Sequence, residues 1–220
     1  MAPRPSRSIH YAWFVLAGAF MGLISFGMSR YVYSYVLPFM EKDLGLPHER
    51  MGNIASAYFI AYTAMTFVWG LISDRFGSRK PMILGMLIIS VGLFSMGFAR
   101  NFHTAFVFYL LCGAGASGLS IPQAPLLSRW FGPRLRATSI GLAMAGSGFL
   151  ALLLGLVAPR ILAQHTWSWV WWAGSATVFL MAIGGWLGLV DRPEQKKLQP
   201  LGLRPVAPRP TIIEGGSHPP

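Results

Sequence analysis

Acidic side chains are scarce in this sequence: 220 residues carry 7 Asp and Glu against 18 Lys and Arg. Charged residues make up 11% of the chain, under half of the roughly 25% usual in soluble domains. With 54% hydrophobic residues, the chain cannot cover itself with polar surface, which excludes an ordinary water-soluble domain. The same balance excludes a disordered chain, which would be poor in apolar residues and rich in charge. Cysteine is nearly absent too. Cys112 stands alone, so neither an intrachain disulfide framework nor a cysteine-based zinc site is available. His10, His48, His103, His165 and His218 are isolated and not at ligand spacing, so no metal is assigned. There is no nucleophile–base pair, paired carboxylate or phosphate-cradling Gly-Lys loop. Neither a catalytic site nor a cofactor is expected.

What is present is a set of long runs free of Asp, Glu, Lys and Arg. Six are long enough to cross ~30 Å of hydrocarbon at ~1.5 Å per residue. They predict spans over residues 11–39, 51–73, 81–99, 104–128, 137–159 and 167–190. Lipid offers no partner to unpaired backbone groups, so each span is expected to be a helix. The first run is too long for a cleaved signal peptide. The fold class expected is an all-α integral membrane bundle over 10–191, between a tail at 1–9 and a Pro-rich tail or linker at 192–220. From Pro193 onward, 7 of 28 residues are Pro, which predicts a solvated, disordered segment. Trp167, Trp169, Trp171 and Trp172 cluster where an interfacial aromatic belt would lie.

The basic excess falls between the runs. Arg4, Arg7, Arg75, Arg79, Lys80, Arg129, Arg134, Arg136, Arg192, Lys196, Lys197, Arg204 and Arg209 share one side. Only Lys42, Arg50, Arg100 and Arg160 lie on the other. That bias predicts that both termini are cytoplasmic in a plasma or inner membrane. It also explains the net charge of +11 by topology and contact with anionic lipid, not by nucleic acid.

The link between the second and third spans reads Gly70-Leu-Ile-Ser-Asp74-Arg75-Phe-Gly77-Ser-Arg79-Lys80. Gly70 would permit a close backbone approach and Gly77 a tight turn. Asp74 sits among three cations, so an ion-pair lattice is available. After span four comes Arg129-Trp130-Phe131-Gly-Pro-Arg134-Leu-Arg136-Ala137, with Gly141 beyond. Taken blandly, both are positive-inside links. Taken whole, the first string resembles the signature loop of the major facilitator superfamily, and the second is similar to a link seen in its organic-anion and sugar-phosphate carriers. The resemblance covers residues 10–192. It implies the N-terminal half of that fold, a 3+3 inverted repeat, in a transporter working by alternating access. It also implies that Gly70, Asp74, Arg75, Gly77, Arg79, Lys80 and Arg129 form a conformational gate, with Asp74 meeting Arg129 and a helix N-terminus of a second half. Two family patterns are missing. Tyr109 stands where many members carry an Arg, and the drug-antiporter pattern of helix five is absent. With six spans rather than about twelve, the chain is expected to pair with a second six-helix half or a second copy, or to be a truncated product. The rival reading is a non-transporting membrane fragment or a regulatory or scaffold subunit.

Arg30 is the one formal charge inside a span. A central Arg costs about 2.5–3.5 kcal/mol on insertion scales, and no acid lies in any span to pair with it. It either faces a wet cavity and an anionic ligand or snorkels as a structural residue. Phe26, Arg30, Tyr33 and Leu37 share a helical face, with Ser34 beside them. The string from Gly27 to Pro38 is similar to helix one of uncharacterised bacterial permeases of the same superfamily. In span four, Ser117, Ser120 and Gln123 recur every three residues and either line a cavity or bond between helices. Ser56 and Thr63 share a face of span two. The site expected for a small organic anion is Arg30, Tyr33 and Gln123.

Overall fold

The computed structural model describes residues 10–202; Arg4, Arg7, Arg204, Arg209 and His218, with the tail expected over 1–9, lie outside it. Six long helices and one short 3-10 turn make up the described residues: α1 (Ala12–Leu44), α2 (His48–Phe76), α3 (Arg79–Met96), α4 (Phe102–Trp130), α5 (Pro133–Gln164) and α6 (Ser168–Gly188), then the turn Pro193–Lys196. All six are long and apolar enough to span a membrane, and the chain is an all-α, multi-pass membrane protein.

Local chemistry sets where each helix stops. Gly45 ends α1 in the left-handed region at φ 61°. Gly77 ends α2 at φ 85°. The fourth helix begins two residues before the expected Thr104 because Asn101 caps it. Asn101 Oδ1 accepts from the Thr104 N–H at 3.0 Å, and Thr104 Oγ1 accepts from the Asn101 N–H at 3.3 Å, closing a capping box. Pro133 opens α5 at a position where its missing N–H costs nothing. Most helices overrun the uncharged spans, since helix geometry continues into the interface: α1 carries Glu41, Lys42 and Asp43, and α4 carries Arg129.

Helix pairing has a two-fold pattern. The second and third helices pack on α4 as the fifth and sixth pack on α1, and α3 meets α6. A contact between α1 and α4 closes a ring of four, to which α2 and α5 attach at the two flanks. This exchange of roles between α1–α3 and α4–α6 is the expected 3+3 repeat. The core is rich in methionine: Met40, Met51, Met82, Met86 and Met96 are fully buried beside Trp130 and Trp171. Unbranched Met side chains fill the irregular gaps between crossing helices.

Two expectations fail here. The aromatic belt reduces to Trp169, which is exposed, and Trp172, which is half-buried against it, while Trp167 and Trp171 are buried. The first turn of α6 packs inward, where the Trp167 indole N–H donates to Asp43 Oδ2 at 2.9 Å and Trp171 meets Tyr109 edge-on. Of the tail expected over 192–220, residues 203–220 lie outside the described ones, and residues 192–202 are not a free segment. The Leu201 N–H donates to the Trp130 carbonyl at 2.9 Å and the Gly132 N–H to the Leu201 carbonyl at 2.8 Å, an isolated parallel bridge. Proline removes donors from the chain around it but leaves Leu201 free to pair with the end of α4.

Candidate functional site at the basic end and along α1

The ends of α2, α4 and α6 and the starts of α1, α3 and α5 meet at one end of the bundle, and the signature loop lies there. Gly77 is held where a Cβ would strike the Asp191 carboxylate at 2.8 Å, and its positive φ would strain any side chain. Asp191 Oδ1 accepts the backbone N–H of Arg79 at 2.7 Å. A carboxylate is thus set on an unpaired N–H at the start of α3, where the helix dipole favours it. The Arg79 guanidinium donates to the Trp186 carbonyl at 2.6 Å. The Trp130 indole N–H donates to the Val190 carbonyl at 2.8 Å. Residues 186–191 are therefore tied to both α3 and α4.

The remaining gate residues are arranged differently from expectation. Asp74 and Arg75 are exposed, and Arg75 lies over the Phe76 ring. The Asp74–Arg129 pair is not formed; among the described residues the one ion pair is Glu41–His48 at 3.1 Å, counted only when His48 is protonated. Arg129 instead lines a cavity of roughly 290 Å³ with Arg192 and Glu194, and its Nη1 is buried without a partner. Among the described residues, nothing outside the adjoining α2 backbone lies within 4 Å of where a Cβ on Gly70 would stand, so the close approach expected there is not made by them. Asp191 was missed by the sequence reading. Its signal was an acid directly at the end of the sixth run, on the same side as the loop.

Along α1, Arg30 is exposed and, among the described residues, has no carboxylate within salt-bridge distance. Its guanidinium lies 5.6 Å from the Phe59 ring and 5.9 Å from the Tyr31 ring, within cation–π range. Ser34 follows one turn later, also exposed. Tyr33 is not on that surface. It is buried, donates to the Met51 carbonyl at 2.7 Å and stacks on Tyr109 at 4.7 Å. The shared face splits because Tyr33 leans toward α2 and α4. The Tyr109 hydroxyl in turn donates to the Arg30 carbonyl at 3.4 Å.

Gln123 is buried at 4% exposure, and its Nε2 has no partner. Ser117 is buried and bonds within its own helix, whereas Ser120 joins the Tyr62 hydroxyl at 2.9 Å across α2 and α4. Of this trio, Ser120 therefore serves helix association. Ser56 and Thr63 are exposed, and Thr63 borders an open depression with Phe59 and Ile60. The structure joins Arg30 to Phe59; it does not join Arg30 to Tyr33 or Gln123 on one accessible surface.

A sequence profile described as Major Facilitator Superfamily matches residues 19–215. The chain is 28% identical over 146 residues to a protein named hexuronate transporter in Bacillus subtilis (strain 168), covering 66% of this chain and 34% of that one. It is 28% identical over 165 residues to organic cation/carnitine transporter 7 of Arabidopsis thaliana, covering 71% and 31%. Its fold matches the xylose transporter XylE from E. coli in a partially occluded inward-open conformation, with TM-score 0.75 at 13% identity, over 86% of this chain and 53% of that one. The chain spans about a third of the length of these curated relatives and about half of the solved one.

Proposed function

Because the chain belongs to the major facilitator superfamily, we propose that it forms one six-helix half of a secondary transporter that moves a small anionic organic solute by alternating access. The observation that carries the proposal is Arg30, an exposed cation with no carboxylate within salt-bridge distance among the described residues, 18 residues into α1, or about 27 Å at 1.5 Å per residue. A guanidinium held at that depth is satisfied by a ligand that comes and goes. A carboxylate fits its planar fork with two parallel hydrogen bonds. The hexuronate transporter's name points to the same class, a sugar acid. Phe59 flanks the guanidinium. Tyr33 acts through Tyr109 to position the Arg30 backbone, and Gln123 offers a further donor when the bundle changes state.

In this reading the basic end faces the cytoplasm of a plasma or inner membrane. The loop from Gly70 to Lys80 is the gate, with exposed Asp74 open to a second half and half-buried Arg129 released to it when the bundle changes state. That half docks on α2 and α5, the two flanking helices, and two such bundles rock about a central site.

The test is uptake by vesicles holding this chain with a second six-helix half, over a panel of organic anions that includes a hexuronate. Uptake by the pair, lost in Arg30→Gln with helix content unchanged, is expected. If the pair moves nothing on the panel, or Arg30→Gln transports as well as the parent, the reading fails. Association without transport would favour the second reading, a non-transporting membrane partner, for which the broad exposed surface of α5 speaks.

A further inference from the structure

A groove of roughly 690 Å³ runs from the start of α3 to the end of α6, outside the surface carrying Arg30. Its mouth is basic and its walls are oily. Arg79 and Lys80 stand at the mouth, and Leu84, Leu87 and Trp186 line it further in. Lys80, Leu84 and Leu87 follow one stripe of α3 at i, i+4 and i+7. The stripe therefore descends about 10 Å from the charged end. Leu84 and Trp186 are 48% and 65% exposed, so in a bilayer the wall lies open to lipid.

The charges at the mouth are not cancelled. Lys80 is exposed, with the Phe76 ring 5.6 Å from its Nζ and no acidic partner within salt-bridge distance among the described residues. The Arg79 guanidinium is fixed across the groove by its bond to the Trp186 carbonyl, which leaves most of its five donors available. Asp191 also borders the groove. Its carboxylate is turned to the Arg79 backbone N–H, so two cations and one engaged anion leave the mouth positive.

We propose that this groove binds the phosphodiester headgroup of an anionic membrane phospholipid, with Arg79 and Lys80 on the phosphate and the first part of an acyl chain along Leu84, Leu87 and Trp186. A soluble organophosphate shares the phosphate chemistry but gains nothing from the wall. The combination of positive mouth and apolar descent selects the lipid. Basic pockets between spans are a recurrent way of holding acidic lipid headgroups. The inference does not depend on the substrate or on a second half.

The experiment is native mass spectrometry of the full chain in detergent, titrated with phosphatidylglycerol, with phosphatidylcholine, or with glycerol 3-phosphate as the soluble headgroup. Phosphatidylglycerol should be retained at least about fivefold over phosphatidylcholine. Lys80→Gln should lower that retention by about fivefold, and Leu84→Ser should lower it too. Arg136→Gln, an exposed change at the same end, should not. Circular dichroism confirms that each variant is folded. Equal retention of the two lipids overturns the proposal, as does Lys80→Gln binding like the parent. Glycerol 3-phosphate held as tightly as the lipid, and unaffected by Leu84→Ser, would assign a soluble ligand and also overturn it.

Discussion

Gly85 and Gly115 meet where α3 crosses α4, so close that a Cβ on either would stand 2.7 Å from the other's carbonyl oxygen. On α5, Gly141 and Gly148 face open space, as do Gly52 and Gly70 on α2. The residue type is the same and the situation opposite. The first pair, with Gly113 against the Tyr58 backbone and Gly146 against the Phe20 carbonyl at 2.7 Å, seals helices that have found their partners. The second group lies on the flanking helices, which each pack mainly on one neighbour. In lipid, helices associate by close packing and not by hydrophobic exclusion, so small residues mark contact surfaces. The contrast shows which surfaces this chain completes by itself and which it leaves open.

Substitution can break that contrast. The largest effect is expected from Gly113→Leu, because the added side chain meets the Tyr58 backbone, which cannot swing aside. Overpacking of this kind costs about 3 kcal/mol or more, and the expected readout is loss of a monodisperse, thermally cooperative species in detergent. Gly77→Ala should follow, at about 1–3 kcal/mol, since it adds strain at φ 85° and displaces the Asp191 carboxylate. Asp191→Ala should cost about 1–2 kcal/mol through one lost charge-assisted bond. It should also relieve the clash in Gly77→Ala, so the double variant is expected to lose less than the sum, measured by a thermal-denaturation cycle. Gly148→Ala should do the reverse of Gly113→Leu. In this chain alone it stabilises α5 by about 0.5–1 kcal/mol; with a second half present it should weaken assembly, read by co-purification. Equal effects of Gly148→Ala in both settings would dissolve the distinction between sealed and open glycines. The gentlest probe perturbs nothing: Gln195→Cys and Gln164→Cys, both exposed, should react with an impermeant thiol reagent from opposite sides. The native Cys112 is buried and should stay silent.

Much of the fold was legible because each span answers to a single requirement, a long stretch without charge. The six runs became six helices, and the loop from Gly70 to Lys80 fell at the α2–α3 turn. Facing was harder to read. In a soluble helix, polar residues mark the outside; here the lipid-facing side is as apolar as the core. Tyr33 and Arg30 therefore looked like neighbours on one surface, although Tyr33 is buried against Tyr109 and Met51. The role of Asp191 was hidden for a different reason. Its partner Arg79 lies 112 positions away, and an acid at the end of the sixth run does not by itself name so distant a partner. The burial of Gln123 and the unmade Asp74–Arg129 pair belong to the same class, because both depend on how finished helices come to rest against one another.

The shortest helix has a consequence for the membrane around it. With 18 residues, α3 is about 27 Å long, whereas the 33 residues of α1 extend for about 50 Å. Its first residue is anchored by Asp191 and its last turn runs into the brief link before Asn101, so it has little freedom to lengthen its crossing. A bilayer about 30 Å thick need thin only slightly to meet α3, while the charged end of α1 extends beyond the hydrocarbon. The protein should accordingly favour acyl chains of modest length, and lipids too tall for α3 should tax the same Asp191 anchor that orders the loop.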